Sequence, residues 1–181
     1  MSRPQTPNPV KLVIGIFLKE KSLIAPVAKS LTKEFGPIDM VSRWFSFDFT
    51  TYYEKEMGAP LFRRMLVFEK LIEQGILAEI KIITNHLELK YSKNNKRMVN
   101  LDPGYMLRER FVLATGKNYT HRIYIGKGIY ADLTLIYTKG RFQVLPWTYP
   151  DYAEEGMLVH LEQVRSKYVA DLKITNHLQK S

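Results

Sequence analysis

The chain contains no cysteine, which excludes a disulfide framework, a thiolate metal site and a thiol nucleophile. It also lacks the run of roughly 18 apolar residues that a membrane-spanning helix needs. Its longest strongly apolar stretch, LVIGIFL at residues 12–18, has the length of a buried strand. The opening residues, MSRPQTPNP, hold three prolines and no apolar core. They cannot work as a secretory signal and read as a loose tail over residues 1–10, with a single domain over 11–181 and the cytoplasm as the default location. No GxxxxGK[ST] phosphate loop and no His-Glu-x-x-His metal pair occurs.

What remains has the balance of a globular domain. The 181 residues are 45% hydrophobic and 25% charged, enough for one substantial core. The formal net charge is +9, and the excess is local: residues 86–127 hold nine Lys or Arg against three Asp or Glu. Such an excess favours an anionic partner, such as phosphate, nucleotide or nucleic acid. The competing reading is an ordinary solvated surface.

Periodicity predicts the elements. Residues 11–19 form a buried strand, and a helix follows from Pro26, with Val27, Ala28, Leu31 and Phe35 on one face and Gly36 as its stop. Residues 38–49 read as a second strand, 50–60 as a loop, 61–72 as a strand and 76–91 as a helix. KNNKR at 93–97 turns the chain into a short strand at 98–101, and 107–114 reads as a helical turn. Strands at 119–125 and 129–137 join through Gly126-Lys127-Gly128, Lys139-Gly140 leads to a strand at 141–145, and a helix closes the chain from 153 to 172. The expected class is α+β: one antiparallel or mixed sheet with a ferredoxin-like βαββαβ beginning, a following β-hairpin region and a C-terminal helix. ITNHL occurs at 83–87 and 174–178, too short a string to mark a duplication.

Chemistry concentrates in residues 100–152, which carry seven of the eleven tyrosines. If Gly126-Lys127-Gly128 is a three-residue loop, Arg122 lies opposite Asp132 and Tyr124 opposite Tyr130, while Ile123, Ile125, Ala131 and Leu133 form an apolar face. Arg122 could hold an anion with Asp132 orienting it or acting as a base; an ordinary cross-strand ion pair is the structural alternative. Asp102, in Asp102-Pro103-Gly104-Tyr105, either binds its own turn or stands as a carboxylate at a strand end. His121 is an acid/base candidate or a hydrogen-bonding strand residue. Asp151 reads as a helix cap, and Trp147, Tyr149 and Tyr152 as stacking or core aromatics. For metal, His86, His121, Asp102, Asp132 and Glu56 have no diagnostic spacing, so no metal site is expected.

FGPID at 35–39, YYEKEMG at 52–58, TNHLE at 84–88, NLDPGY at 100–105, HRIYIGKGIYADLTL at 121–135 and WTYPDY at 147–152 together resemble a prokaryotic family of uncharacterised proteins, a domain of unknown function, over nearly the whole chain. Some members of that family carry a GTP-binding label, which the resemblance extends to this chain only as a hint. Asn95-Lys96-Arg97-Met98 lacks the Asp of a guanine-reading NKxD.

The resulting expectation is a pocket for an anionic phosphorylated or nucleotide-like small molecule. Asp102, His121 and Asp132 are its acid/base candidates; Tyr105, Lys117, Arg122, Lys127 and Tyr130 are its ligand-binding candidates, with residues 54–58 as a lid. Mg²⁺ accompanying a nucleotide is the only cofactor this suggests. An RNA-binding module and a scaffold or assembly protein are the alternatives.

Overall fold

The apolar run near the N-terminus forms β1 (Val10–Leu18), whose nine residues are all buried. A strand reads as continuously hydrophobic when layers cover both its faces. The computed structural model describes residues 1–178, with side chains through residue 175. After β1 come α1 (Ile24–Phe35), β2 (Ile38–Val41), β3 (Phe45–Phe47), α2 (Glu54–Met57) and β4 (Leu61–Ile72). Next are α3 (Leu77–Lys90), a small hairpin of β5 (Ser92–Lys93) and β6 (Lys96–Arg97), then β7 (Val99–Met106) and β8 (Arg110–Thr115). Last come β9 (Arg122–Gly126), β10 (Ile129–Thr138), β11 (Arg141–Val144), α4 (Pro150–Ala153) and α5 (Glu155–Leu178).

Nine strands form one antiparallel sheet in the order β11-β10-β8-β7-β1-β4-β2, with β3 also beside β4 and β9 beside β10. The α+β class and the ferredoxin-like start are as expected: β7, β1, β4 and β2 lie side by side, with α1 and α3 as the two crossovers. Alternation along β1 assigns its side chains to two cores. Leu12, Ile14, Ile16 and Leu18 pack with Val27 and Leu31 of α1 and Ile80 and Leu87 of α3. Val13 points the other way, into the core that holds Met157, Leu161, Val164, Tyr168 and Leu172 of α5. That helical stripe is at most 1% exposed, and each such side chain contributes about 1.5–3 kcal/mol of hydrophobic stabilisation. Among the described residues no helix is long and apolar enough to cross a membrane.

Several elements differ from expectation for identifiable reasons. The strand at 38–49 is broken into β2 and β3: Ser42 still bonds the Met65 backbone through its amide and hydroxyl, but one extra residue intervenes before Phe45 pairs with Arg63. The loop at 50–60 contains the short α2. Residues 107–114 do not make a helical turn: most of them belong to β8, paired with β7 and β10, and long-range pairing overrides the local pattern. The strand expected at 98–101 runs on to Met106, so Asp102-Pro103-Gly104-Tyr105 is strand and not turn. Pro103 is tolerated because pairing with β8 begins only at Gly104, leaving one side of Pro103 without a ladder. Gly104 serves close approach: an added Cβ would collide with the Val112 carbonyl and sit 2.8 Å from Leu113 Cδ2.

The β9–β10 hairpin turns on two residues, Lys127 and Gly128, at φ 54° and 73°, not on three. Gly126 pairs with Ile129, and Ile125 is bulged out. The bulge restores the expected register, so Arg122 faces Asp132 and Tyr124 faces Tyr130. Burial does not divide cleanly by face, however: Arg122 and Asp132 are buried while Tyr124 on their side is 60% exposed, and Ile123 is 71% exposed while Ile125, Ala131 and Leu133 pack against the core. Gly104→Ala should lower unfolding free energy by about 1–3 kcal/mol, the usual cost of overpacking. An unchanged urea midpoint would refute the close approach of β7 and β8.

Candidate functional site

β7 and β8 pair at three positions only, Gly104 with Leu113, Tyr105 with Val112 and Met106 with Phe111. Before Gly104 the strands separate, and the freed backbone of β7 needs other partners. Side chains of α3 supply them. Glu88 Oε1 accepts from the Leu101 amide at 2.7 Å, and Lys81 Nζ donates to the Leu101 carbonyl at 2.8 Å. A cavity of about 690 Å³ opens at the split, within the range of small-molecule sites.

One wall is built by α3, β6 and β7. Lys81, Asn85 and Glu88 recur at helical spacing and share one face of α3. Burial raises the Glu88 pKa, against the opposing pull of Lys81, the Leu101 amide and Arg97. Arg97 grips Glu56 through Nε at 2.7 Å and Nη2 at 2.8 Å. Its Nη1 reaches Glu88 Oε2 and Asn100 Oδ1, both at 2.9 Å. Asn100 Nδ2 donates to Asp102 Oδ1 at 3.0 Å, and Lys81 Nζ stands 3.8 Å from the same oxygen. The hydrogen bond from Arg97 holds the Glu56 carboxyl below its usual pKa.

The other wall comes from β9, β10 and the segment leading to α4. Asp132 Oδ2 meets Arg122 Nε at 2.8 Å and His121 Nε2 at 3.2 Å. A carboxylate can only accept, so His121 donates from Nε2, and in the neutral ring Nδ1 is then an acceptor. Arg122 also donates from Nη1 to the Lys117 carbonyl at 2.9 Å and from Nη2 to the Tyr149 hydroxyl at 2.7 Å. Burial lowers its pKa, but the bonds to Asp132 and Tyr149 outweigh this and keep it charged. The His121 ring stacks on Trp147, with centroids 5.0 Å apart and planes 13° apart.

Nine of the 25 lining residues are Phe, Tyr or Trp, against 12% aromatics in the chain. Beneath the cavity the fully buried Arg63 guanidinium lies 4.5 Å from the Phe17 ring and 4.0 Å from the Tyr152 ring. It forms an ion pair with Asp151. Asp151 is therefore not the helix cap expected from sequence; Tyr149 occupies that position.

Of the residues singled out from sequence, Asp102, Lys117, His121, Arg122 and Asp132 line this one cavity. Tyr105, Lys127 and Tyr130 do not. Tyr105 packs in the core beneath α5. Lys127 Nζ sits 3.3 Å from Glu79 at the hairpin tip. Tyr130 packs on Tyr124 with centroids 5.4 Å apart. None of residues 54–58, expected as a lid, lines the cavity; Phe49, Thr50, Tyr52 and Tyr53, just before them, do. Sequence reasoning missed Lys81, Asn85, Glu88 and Arg97. The available signal was the helical spacing of Lys81, Asn85 and Glu88, which puts three polar side chains on one face of α3. Among the described residues no three His, Asp or Glu side chains are placed to hold a metal ion.

Residues 8–168 match the family described as Domain of unknown function (DUF4416), and the chain belongs to that family. No curated protein and no solved structure matches it.

Removing one member of a buried ion pair strands the other charge. Asp151→Ala should therefore cost about 3–5 kcal/mol in urea unfolding, and adding Arg63→Met should recover most of it. A single-variant loss below about 1 kcal/mol would show that the pair does not anchor α4 to β4. The Glu56 clamp has its own pH signature. Because the folded pKa is lowered, its contribution to stability is fully present above the ordinary value of 4.5 and is lost as pH falls through the lowered one. Proteolysis within residues 49–58 should accelerate on acidification, and at neutral pH in Glu56→Gln. Equal cleavage of Glu56→Gln and wild type at neutral pH would count against the clamp.

Proposed function

We propose that this member of an uncharacterised family binds one small molecule combining a flat ring with an anionic group, of the phosphorylated or nucleotide class, in the cavity between β7 and β8. The observation that carries the reading is the aromatic lining, nine of 25 residues, set among hydrogen-bonding groups held by buried partners. Stacking on such rings is worth about 1–3 kcal/mol per base and tolerates any flat ring.

Charge narrows the ligand further. Lys81, Arg97, Lys117 and Arg122 line the cavity beside Glu88, Asp102, Asp132 and Asp151. This balance does not favour a polyanion, so the basic excess of the chain is no argument for RNA at this site. Lys117 is the cation with no carboxylate partner among the described residues, its Nζ lying 4.1 Å over the Tyr52 ring. It meets the anionic group. Arg122 acts indirectly, holding the Lys117 carbonyl, Tyr149 and Asp132 in place. His121 Nδ1 accepts a hydrogen bond, or a proton, from the ligand.

The test is a thermal-shift panel of nucleoside phosphates, sugar phosphates and a short RNA, each with and without Mg²⁺. A phosphorylated small molecule should raise Tm selectively. Lys117→Ala should weaken its binding by about tenfold, the scale of one charge-assisted hydrogen bond, without changing the unliganded Tm. Stabilisation by RNA alone, lost steeply with salt, would replace the reading with a nucleic-acid module. No shift with any member of the panel would overturn it in favour of an assembly role.

A further inference from the structure

Polar groups already bonded within the protein have little left for a ligand, so the uncommitted ones indicate what the cavity recognises. On the α3–β7 wall, Lys81, Glu88, Arg97 and Asn100 are engaged with one another, with Glu56, with Asp102 and with the Leu101 backbone. On this wall two lining groups keep free capacity, as Lys117 and His121 Nδ1 do on the other. Among the described residues, Asn85 forms no side-chain hydrogen bond and Asp102 uses only Oδ1, with no hydrogen-bond donor at Oδ2. The Asp102 side chain is 26% exposed, open enough to be reached.

We propose that Asn85 and Asp102 form a subsite for the vicinal hydroxyls of a sugar ring. This rests on the ring-and-anion reading above and specifies the part of the ligand between its anion and its ring. A carboxylate carries several acceptor sites and suits hydroxyl donors, whereas a carboxamide both donates and accepts. Neighbouring hydroxyls each donate and accept, so the pair matches a diol group for group. The same carboxylate repels a phosphate, which places the anion at Lys117 on the opposite wall and the neutral, hydroxylated part here. The class is a phosphorylated sugar ring, either the ribose of a nucleotide or a free sugar phosphate.

The experiment is calorimetric titration of the full chain with AMP, GMP, their 2′,3′-dideoxy counterparts and ribose 5-phosphate. A site built to bond a hydroxyl penalises the analogue lacking it, so the better-bound ribonucleotide should exceed its dideoxy form by roughly tenfold or more. Asn85→Ala and Asp102→Asn should each bring that ratio toward one, a change that loss of fold alone would not produce. Ribose 5-phosphate binding as tightly as the nucleotides would also support the subsite and assign it to sugar phosphates. Equal affinity for the ribo and dideoxy forms in wild type would overturn the subsite and leave the ring-and-anion reading standing. A ribo preference unchanged in both variants would overturn the assignment to Asn85 and Asp102. Failure of every phosphorylated probe to bind would overturn both proposals.

Discussion

The ladder between β7 and β8 stops after three residue pairs, and the geometry of the cavity depends on that stop. An open strand edge inside a protein must find hydrogen-bond partners or be destabilised. Pro103 offers no amide proton just where pairing ends, and Gly104 allows the strands to press together just where pairing starts. The unpaired backbone at Leu101 is satisfied by Glu88 and Lys81, which draws two charged side chains of α3 to the split. The requirement that fills the backbone gap thus also gives one wall its charged lining.

Buried ion pairs hold the rest of the site. Arg122 has all three of its nitrogens engaged, by Asp132, the Lys117 carbonyl and Tyr149. It links the hairpin, the end of β8 and the approach to α4 through one planar group. Arg63 and Asp151 join β4 to α4 beneath the cavity. Such pairs add little net stability over apolar packing, but breaking one is costly, so they favour one arrangement of the walls over looser ones. A cavity organised in this way spends less of its binding energy on ordering side chains when a ligand enters.

The ferredoxin-like order was legible because it rests on local signals, among them the apolar run of β1 and Gly36 closing α1; the stripe from Met157 to Leu172 marked the later helix α5 in the same way. The pairing of Arg122 with Asp132 was legible too, although the turn was taken as one residue too long and the bulge at Ile125 compensated. β8 was not legible as a strand, because its neighbours β7 and β10 supply the reason for its conformation. Asp102-Pro103-Gly104-Tyr105 has the composition of a turn, yet the register with β1 draws it into the sheet. The candidate site followed the same division. Five of the eight selected residues line the cavity, while Tyr105, Lys127 and Tyr130 lie in a core, at a hairpin tip and in an aromatic pair outside it.

By itself the sequence determined the class of the fold, the identity of most elements and the stretch where polar chemistry gathers, since these depend on periodicity and turn residues acting over a few positions. The tertiary structure alone decided that Arg122 and Asp132 of the β9–β10 hairpin are buried, which cations are already neutralised, and that α3 contributes to a wall. Those outcomes depend on contacts between residues far apart in the chain. Glu88 reaches Leu101, Arg63 reaches Asp151 and Arg97 reaches Glu56, and no spacing along the sequence encodes such pairings.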